Sequence, residues 1–85
     1  MDATADRLNR AWEQHQIYIR REIATRQNLE EACEEWEEAL RTKSESANLC
    51  YKTWKSCLHE WVAARERLVH SAVCLDGYIQ GLKSG

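Results

Sequence analysis

The sequence predicts an all-α chain, an antiparallel two-helix hairpin of coiled-coil type that completes a four-helix bundle by dimerising. Three observations predict it. Apolar residues recur at every third or fourth position through two long stretches. One polar hexapeptide with capping chemistry separates those stretches. The charges outside the two stripes match the register that the stripes require.

The 85 residues make a single helical domain, 1–85, too short to bury a large core as two helices alone. Helix one is expected over about residues 4–41, with Thr4 or Asp2 as its cap and Asp6 in its first turn, where a carboxylate suits the helix dipole. Its stripe reads Leu8, Trp12, His15, Ile19, Glu22, Arg26, Leu29, Cys33, Trp36 and Leu40, with Ala11, Ala32 and Ala39 beside it. The polar members His15, Glu22 and Arg26 cluster in its middle.

The turn is expected at about residues 42–46, where Ser44 or Ser46 can accept from the N–H groups of the following turn. Helix two then runs over about 47–82, and Gly77, Gly81 and the Lys83-Ser84-Gly85 end predict fraying. Its stripe is Tyr51, Trp54, Leu58, Trp61, Arg65, Leu68, Ala72, Leu75, Ile79 and Leu82. One unbroken helix is the competing expectation, since the 41–46 stretch has neither Gly nor Pro. Continuing the phase of helix one selects Trp54, Cys57, Trp61, Ala64, Leu68, Ser71, Leu75, Tyr78 and Leu82. Those side chains are smaller, so the hairpin is preferred. A turn near Ser44 sets Glu34 level with Lys55, Glu37 with Lys52, Trp36 with Trp54, and Leu8 with Ile79 and Leu82.

A formal net charge of −2 gives no bulk attraction to nucleic acid. No apolar run approaches the roughly 18 residues that a membrane span needs, and the polar start from Asp2 to Arg10 does not resemble an export signal. The expectation is a cytoplasmic protein. Cys33, Cys50, Cys57 and Cys74 form no CxxC pair and are expected as reduced, half-buried thiols. Were one bridge to form, the hairpin register would favour Cys33 with Cys57.

The acidic run Glu30, Glu31, Glu34, Glu35, Glu37 and Glu38 lies mostly off the stripe and reads as a solvated face. A bundle metal site needs inward carboxylates with Glu-x-x-His motifs, which the chain lacks. His15 is placed level with Cys74, but two ligands fall short of a zinc site, and a hydrogen-bonded histidine is expected instead. No metal, cofactor or catalytic residue is expected, and the chain is not read as an enzyme. Glu22, Arg26 and Arg65 stand at one height on both stripes and are expected to form a polar layer that fixes register.

Four tryptophans on the stripes are more bulk than one hairpin covers. Trp12, Trp36, Trp54 and Trp61, with Ile17, Tyr18, Val62 and Val69, are therefore expected as core or interface anchors. Helix one also divides its charge, with arginines early and glutamates late. A two-fold axis near residue 28 would set Arg20 opposite Glu35 and Arg21 opposite Glu34 in a homodimer. The function class is protein binding, as an adaptor or inhibitor of a larger protein whose identity the sequence does not give. By analogy of size and architecture alone, such regulators are common in phages and mobile elements. Two alternatives use other features: a nucleic-acid-associated regulator acting through the arginines of helix one, and a cysteine-based redox or metal-binding hairpin.

Overall fold

The computed structural model describes residues 3–84, the side chain of Thr4 excepted. Asp2 and the Thr4 side chain, named above as caps, lie outside what is described. Two helices, α1 (Ala3–Arg41) and α2 (Ala47–Ser84), pack against each other as a hairpin. The molecule measures 63 × 18 × 13 Å, one layer of two helices. Gly77 and Gly81 stay inside α2, which continues to Ser84 rather than fraying at the first glycine.

The turn is built by backbone hydrogen bonds rather than by glycine. Ser44 N donates to Ala39 O at 2.9 Å and Lys43 N to Leu40 O at 3.3 Å. These are the paired bonds of a Schellman ending, and Lys43 takes the left-handed position with φ 52°. Ser44 Oγ then accepts from Ser46 N at 3.1 Å, and Ser46 O accepts the first bond of α2 from Cys50 N at 2.9 Å. The serines thus end one helix and start the next within five residues.

The seam between the helices differs from the stripes of the sequence. The buried residues are Ala32, Ala39, Ala64 and Leu75, and no large side chain among those described is fully buried. The inward positions of α1 are Leu8, Ala11, His15, Tyr18, Glu22, Thr25, Leu29, Ala32, Trp36 and Ala39. Those of α2 are Ala47, Cys50, Trp54, Cys57, Trp61, Ala64, Leu68, Ser71 and Leu75. Each set is a strict heptad repeat, with large residues at position a alternating with mostly small ones at position d. The α2 seam is therefore the one that sequence reasoning gave to a continuous helix. Trp12, Arg26, Leu40, Tyr51, Arg65, Ala72 and Ile79, all expected on the seam, stand exposed.

Register follows from one bond across the seam. His15 Nδ1 and Ser71 Oγ are 3.1 Å apart. Keeping that level sets Ala11 beside Leu75, Leu29 beside Cys57, Ala32 beside Trp54 and Trp36 beside Cys50. Large residues face small ones, which lets the backbones approach and explains why alanines are the most buried side chains. At the turn end, Trp36 lies 5.2 Å from Trp54 and 5.3 Å from Tyr51, ring centre to ring centre.

Candidate interaction surface

A hairpin with seam positions a and d has two broad sides. In an antiparallel pair, the e positions of both helices flank one edge of the seam, and the g positions flank the other. The b positions extend the first side and the c positions the second. The two sides differ sharply in chemistry.

The e/b side is apolar. Among the described residues twelve large hydrophobic ones are exposed, and seven of them fall here: Trp12, Ile23 and Leu40 from α1, and Tyr51, Val62, Val69 and Ile79 from α2. Ile19 and Leu58 lie half-buried among them. The strip of α2 from Trp61 to Val73 forms a shallow groove on the outer edge of this side, lined by Val62, Val69 and Val73 together with Arg65, Glu66 and His70. The side also carries charged groups, Glu30, Glu37 and Arg26 on α1 and Lys55, Arg65, Asp76 and Lys83 on α2, so the large hydrophobic residues rather than the number of charges set it apart.

The g/c side is polar. The groove between the helices there is lined by Tyr18, Arg21, Thr25, Glu60 and Arg67, and nearer the turn by Asn28, Glu35 and Thr53. Ile17 and Leu49 stand exposed on this side without apolar neighbours of similar size.

Trp61 anchors a charged cluster at the edge of the apolar side. Its Nε1 donates to Glu22 Oε1 across the seam at 3.2 Å. Arg26 Nε stands 3.7 Å from the same carboxylate oxygen. The Arg65 guanidinium lies 5.4 Å from the centre of the Trp61 ring, a cation–π geometry. Glu22, Arg26 and Arg65 are thus gathered at one level, with the tryptophan as the link that sequence reasoning did not foresee. The Glu22 side chain is only 16% exposed, while that of Arg26 is half exposed. The cluster carries two guanidinium groups at the edge of the apolar side, and it contains no nucleophile.

Other expected pairs are not brought together. His15 bonds to Ser71 rather than standing beside Cys74, which contacts His70 one turn away on its own helix at 3.6 Å. The four thiols are unpaired. Cys57 is level with Leu29, while Cys33 donates to Glu37 Oε1 at 3.5 Å. That hydrogen bond, with burial and the nearby carboxylates of Glu37 and Glu34, pushes the Cys33 thiol up from its ordinary range. Glu34 and Lys55, and Glu37 and Lys52, make no ion pair, because these residues project away from the seam. The ion pairs among the described residues, Arg26–Glu22 and Arg41–Glu38, both lie within α1.

Of the anchors named from sequence, Trp36, Trp54, Trp61 and Tyr18 sit on the seam, Trp12, Val62 and Val69 on the apolar side, and Ile17 on the polar side. Arg21 and Glu35 also belong to the polar side, and Arg20 and Glu34 to the outer edge of α1. An α1–α1 contact made by those four charges would leave the apolar side uncovered.

Among the described residues no group of three or more His, Cys, Asp and Glu is placed to hold a metal ion. No helix there is long and apolar enough to cross a membrane. Compared with protein-family models, with curated proteins and with solved structures, the chain matches none of them.

Proposed function

We propose that this chain is a non-enzymatic protein–protein interaction module. Its apolar side closes on a second copy to make a four-helix bundle, and the assembled rod acts as an adaptor or inhibitor of a larger protein. The observation that carries the proposal is the unpartnered apolar side, two helices wide. A compact monomer of 10.0 kDa exposes about 5,200 Å² by the usual size scaling. This chain exposes 6657 Å². The surplus of about 1,400 Å² reflects the 63 × 18 × 13 Å rod shape, and it leaves room for the roughly 800 Å² that each partner buries in a standard interface.

The sequence stripes support the same reading. On both helices they follow positions a and e, not the a and d of the hairpin seam. A helix with one neighbour centres its apolar residues on a and d. A helix with two neighbours at about a right angle, as in a bundle, shifts that centre toward the second neighbour. The a/e stripe therefore points at the axis of a four-helix assembly. Four unpaired thiols suit the reducing cytoplasm, where we place the protein. The arginines of α1 support nucleic-acid binding less well, since Arg21 shares its groove with Glu60 and Arg20 and Arg21 lie on different flanks.

The test is light scattering at tens of micromolar on the natural chain and on the double variant Val62→Glu/Val69→Glu. The natural chain should be a dimer and the variant a monomer. Ile17→Glu, on the polar side, should leave the dimer intact. A monomeric natural chain, or a dimer untouched by the Val62/Val69 pair, refutes the proposal.

A further inference from the structure

We infer that the partner copy docks with its turn at the same end, related by a two-fold axis along the helices, with Lys55 of each copy seated between Glu30 and Glu37 of the other. The inference rests on the self-association proposed above and adds its geometry. Two hairpins stacked through one side have two symmetric choices. With the axis along the helices, α1 packs on α2 of the second copy and both turns lie together. With the axis across the helices, α1 packs on α1, α2 on α2, and the turns lie at opposite ends.

Charge decides between them. Meshing the e/b stripes with turns together sets Ile19 opposite Val69 and Arg26 opposite Val62, with Cys33 opposite Lys55. Glu30 and Glu37 flank Cys33 on its stripe at −3 and +4, so the Lys55 ammonium meets a carboxylate on either side. Arg65 falls opposite Ile23, one residue from the Glu22 carboxylate of the second copy. That carboxylate already holds Arg26 and Trp61, so the charged cluster closes around it.

The crossed arrangement does the opposite. With its axis near residues 24 and 25 it sets Gln16 opposite Cys33, and at any stagger it lays the α2 side, where Lys55, Arg65 and Lys83 outnumber Asp76, on a copy of itself. Like charges at the centre of an interface oppose association.

Native Cys33 makes the choice measurable, because each arrangement puts a different residue against it. The variants Lys55→Cys and Gln16→Cys, in the otherwise natural chain, are treated with diamide and run without reductant. Mass spectrometry of the peptides then locates the bridge. A covalent dimer joining Cys33 to the thiol introduced by Lys55→Cys, with none from Gln16→Cys, is the expected result. Bridging from Gln16→Cys instead overturns the same-end geometry while leaving self-association standing. Bridging from neither, in a chain that light scattering shows to be a dimer, also overturns it. A chain that is monomeric refutes the underlying reading instead. As a readout free of thiol chemistry, Lys55→Glu should raise the dimer dissociation constant by about tenfold. Adding Glu30→Lys and Glu37→Lys to that variant should recover most of the loss. A triple variant weaker than Lys55→Glu alone counts against the pairing.

Discussion

Lys43→Gly is the substitution whose sign reports on the architecture. Lys43 holds φ 52° at the residue that ends α1, with its own N–H and that of Ser44 returned to Leu40 and Ala39. A side chain in that left-handed region costs about 1–2 kcal/mol from the clash of Cβ with the following carbonyl. Glycine removes the clash but gives back about 0.4–1 kcal/mol, because the unfolded chain gains freedom at that residue. The net expectation is a gain of about 0.5–1 kcal/mol. For a domain of this size that raises Tm by about 3–6 °C. Were the chain one continuous helix, Lys43 would sit inside it, and the same glycine would cost about 1 kcal/mol. The assay is thermal melting by far-UV circular dichroism at one fixed chain concentration, since association raises Tm by mass action. Lys43→Ala serves as the control, removing the charge and the long side chain while keeping Cβ. A glycine variant that melts below the alanine variant would refute the turn described here.

Two further predictions test other parts of the hairpin. Ala32 is buried on the seam level with Trp54, so Ala32→Leu should destabilise by about 1–3 kcal/mol in urea unfolding, whereas Ala24→Leu on the exposed flank should change little. Cys33, whose thiol is pushed up chiefly by its bond to Glu37, should react with iodoacetamide at pH 8 more slowly in the folded chain than in the unfolded one, and Glu37→Gln should speed it. Because folding raises that pKa, whatever the bond contributes is present at lower pH and fades as the pH rises through the folded value.

Much of the architecture could be read from the residues. The two long helices follow from uninterrupted apolar periodicity, and the turn falls in the one polar stretch that carries serines, although Ser44 Oγ accepts from Ser46 N within the turn rather than from the first turn of α2. The left-handed residue is not legible in the same way. A glycine would have marked it, and here a lysine occupies it under the control of two backbone bonds. The gathering of Glu22, Arg26 and Arg65 at one level was visible from their spacing. The role of Trp61 was not, because a tryptophan read as apolar bulk gives no sign that its N–H will reach a carboxylate. Glu34 and Lys55, and Glu37 and Lys52, are set level by the sequence register yet make no ion pair, for a geometric reason. Being level along the axis does not bring two side chains together when both point off the seam.

The seam itself shows most plainly what periodicity can and cannot specify. Reading by bulk selects Trp12, Ile19, Cys33 and Leu40 beside the a positions of α1, and Leu58, Arg65, Ala72 and Ile79 beside those of α2. The hairpin instead closes on Ala11, Thr25, Ala32 and Ala39, and on Cys57, Ala64 and Ser71, because small residues let two backbones approach while their large neighbours fill the flanks. The bulk left outside falls on one side of both helices, a result that neither helix needs for packing on the other. Within the seam, moreover, the middle is polar: His15 bonds Ser71, and Glu22 takes the N–H of Trp61. Those bonds fix register but add little apolar burial. A chain that places Trp36, Trp54 and Trp61 on the seam and still keeps seven large hydrophobic residues on one open side holds a substantial part of its capacity for burial where the hairpin alone does not use it. In the proposed dimer the stability of the hairpin and the strength of association should therefore be coupled, so that Val62→Glu/Val69→Glu lowers Tm although neither residue lies on the seam.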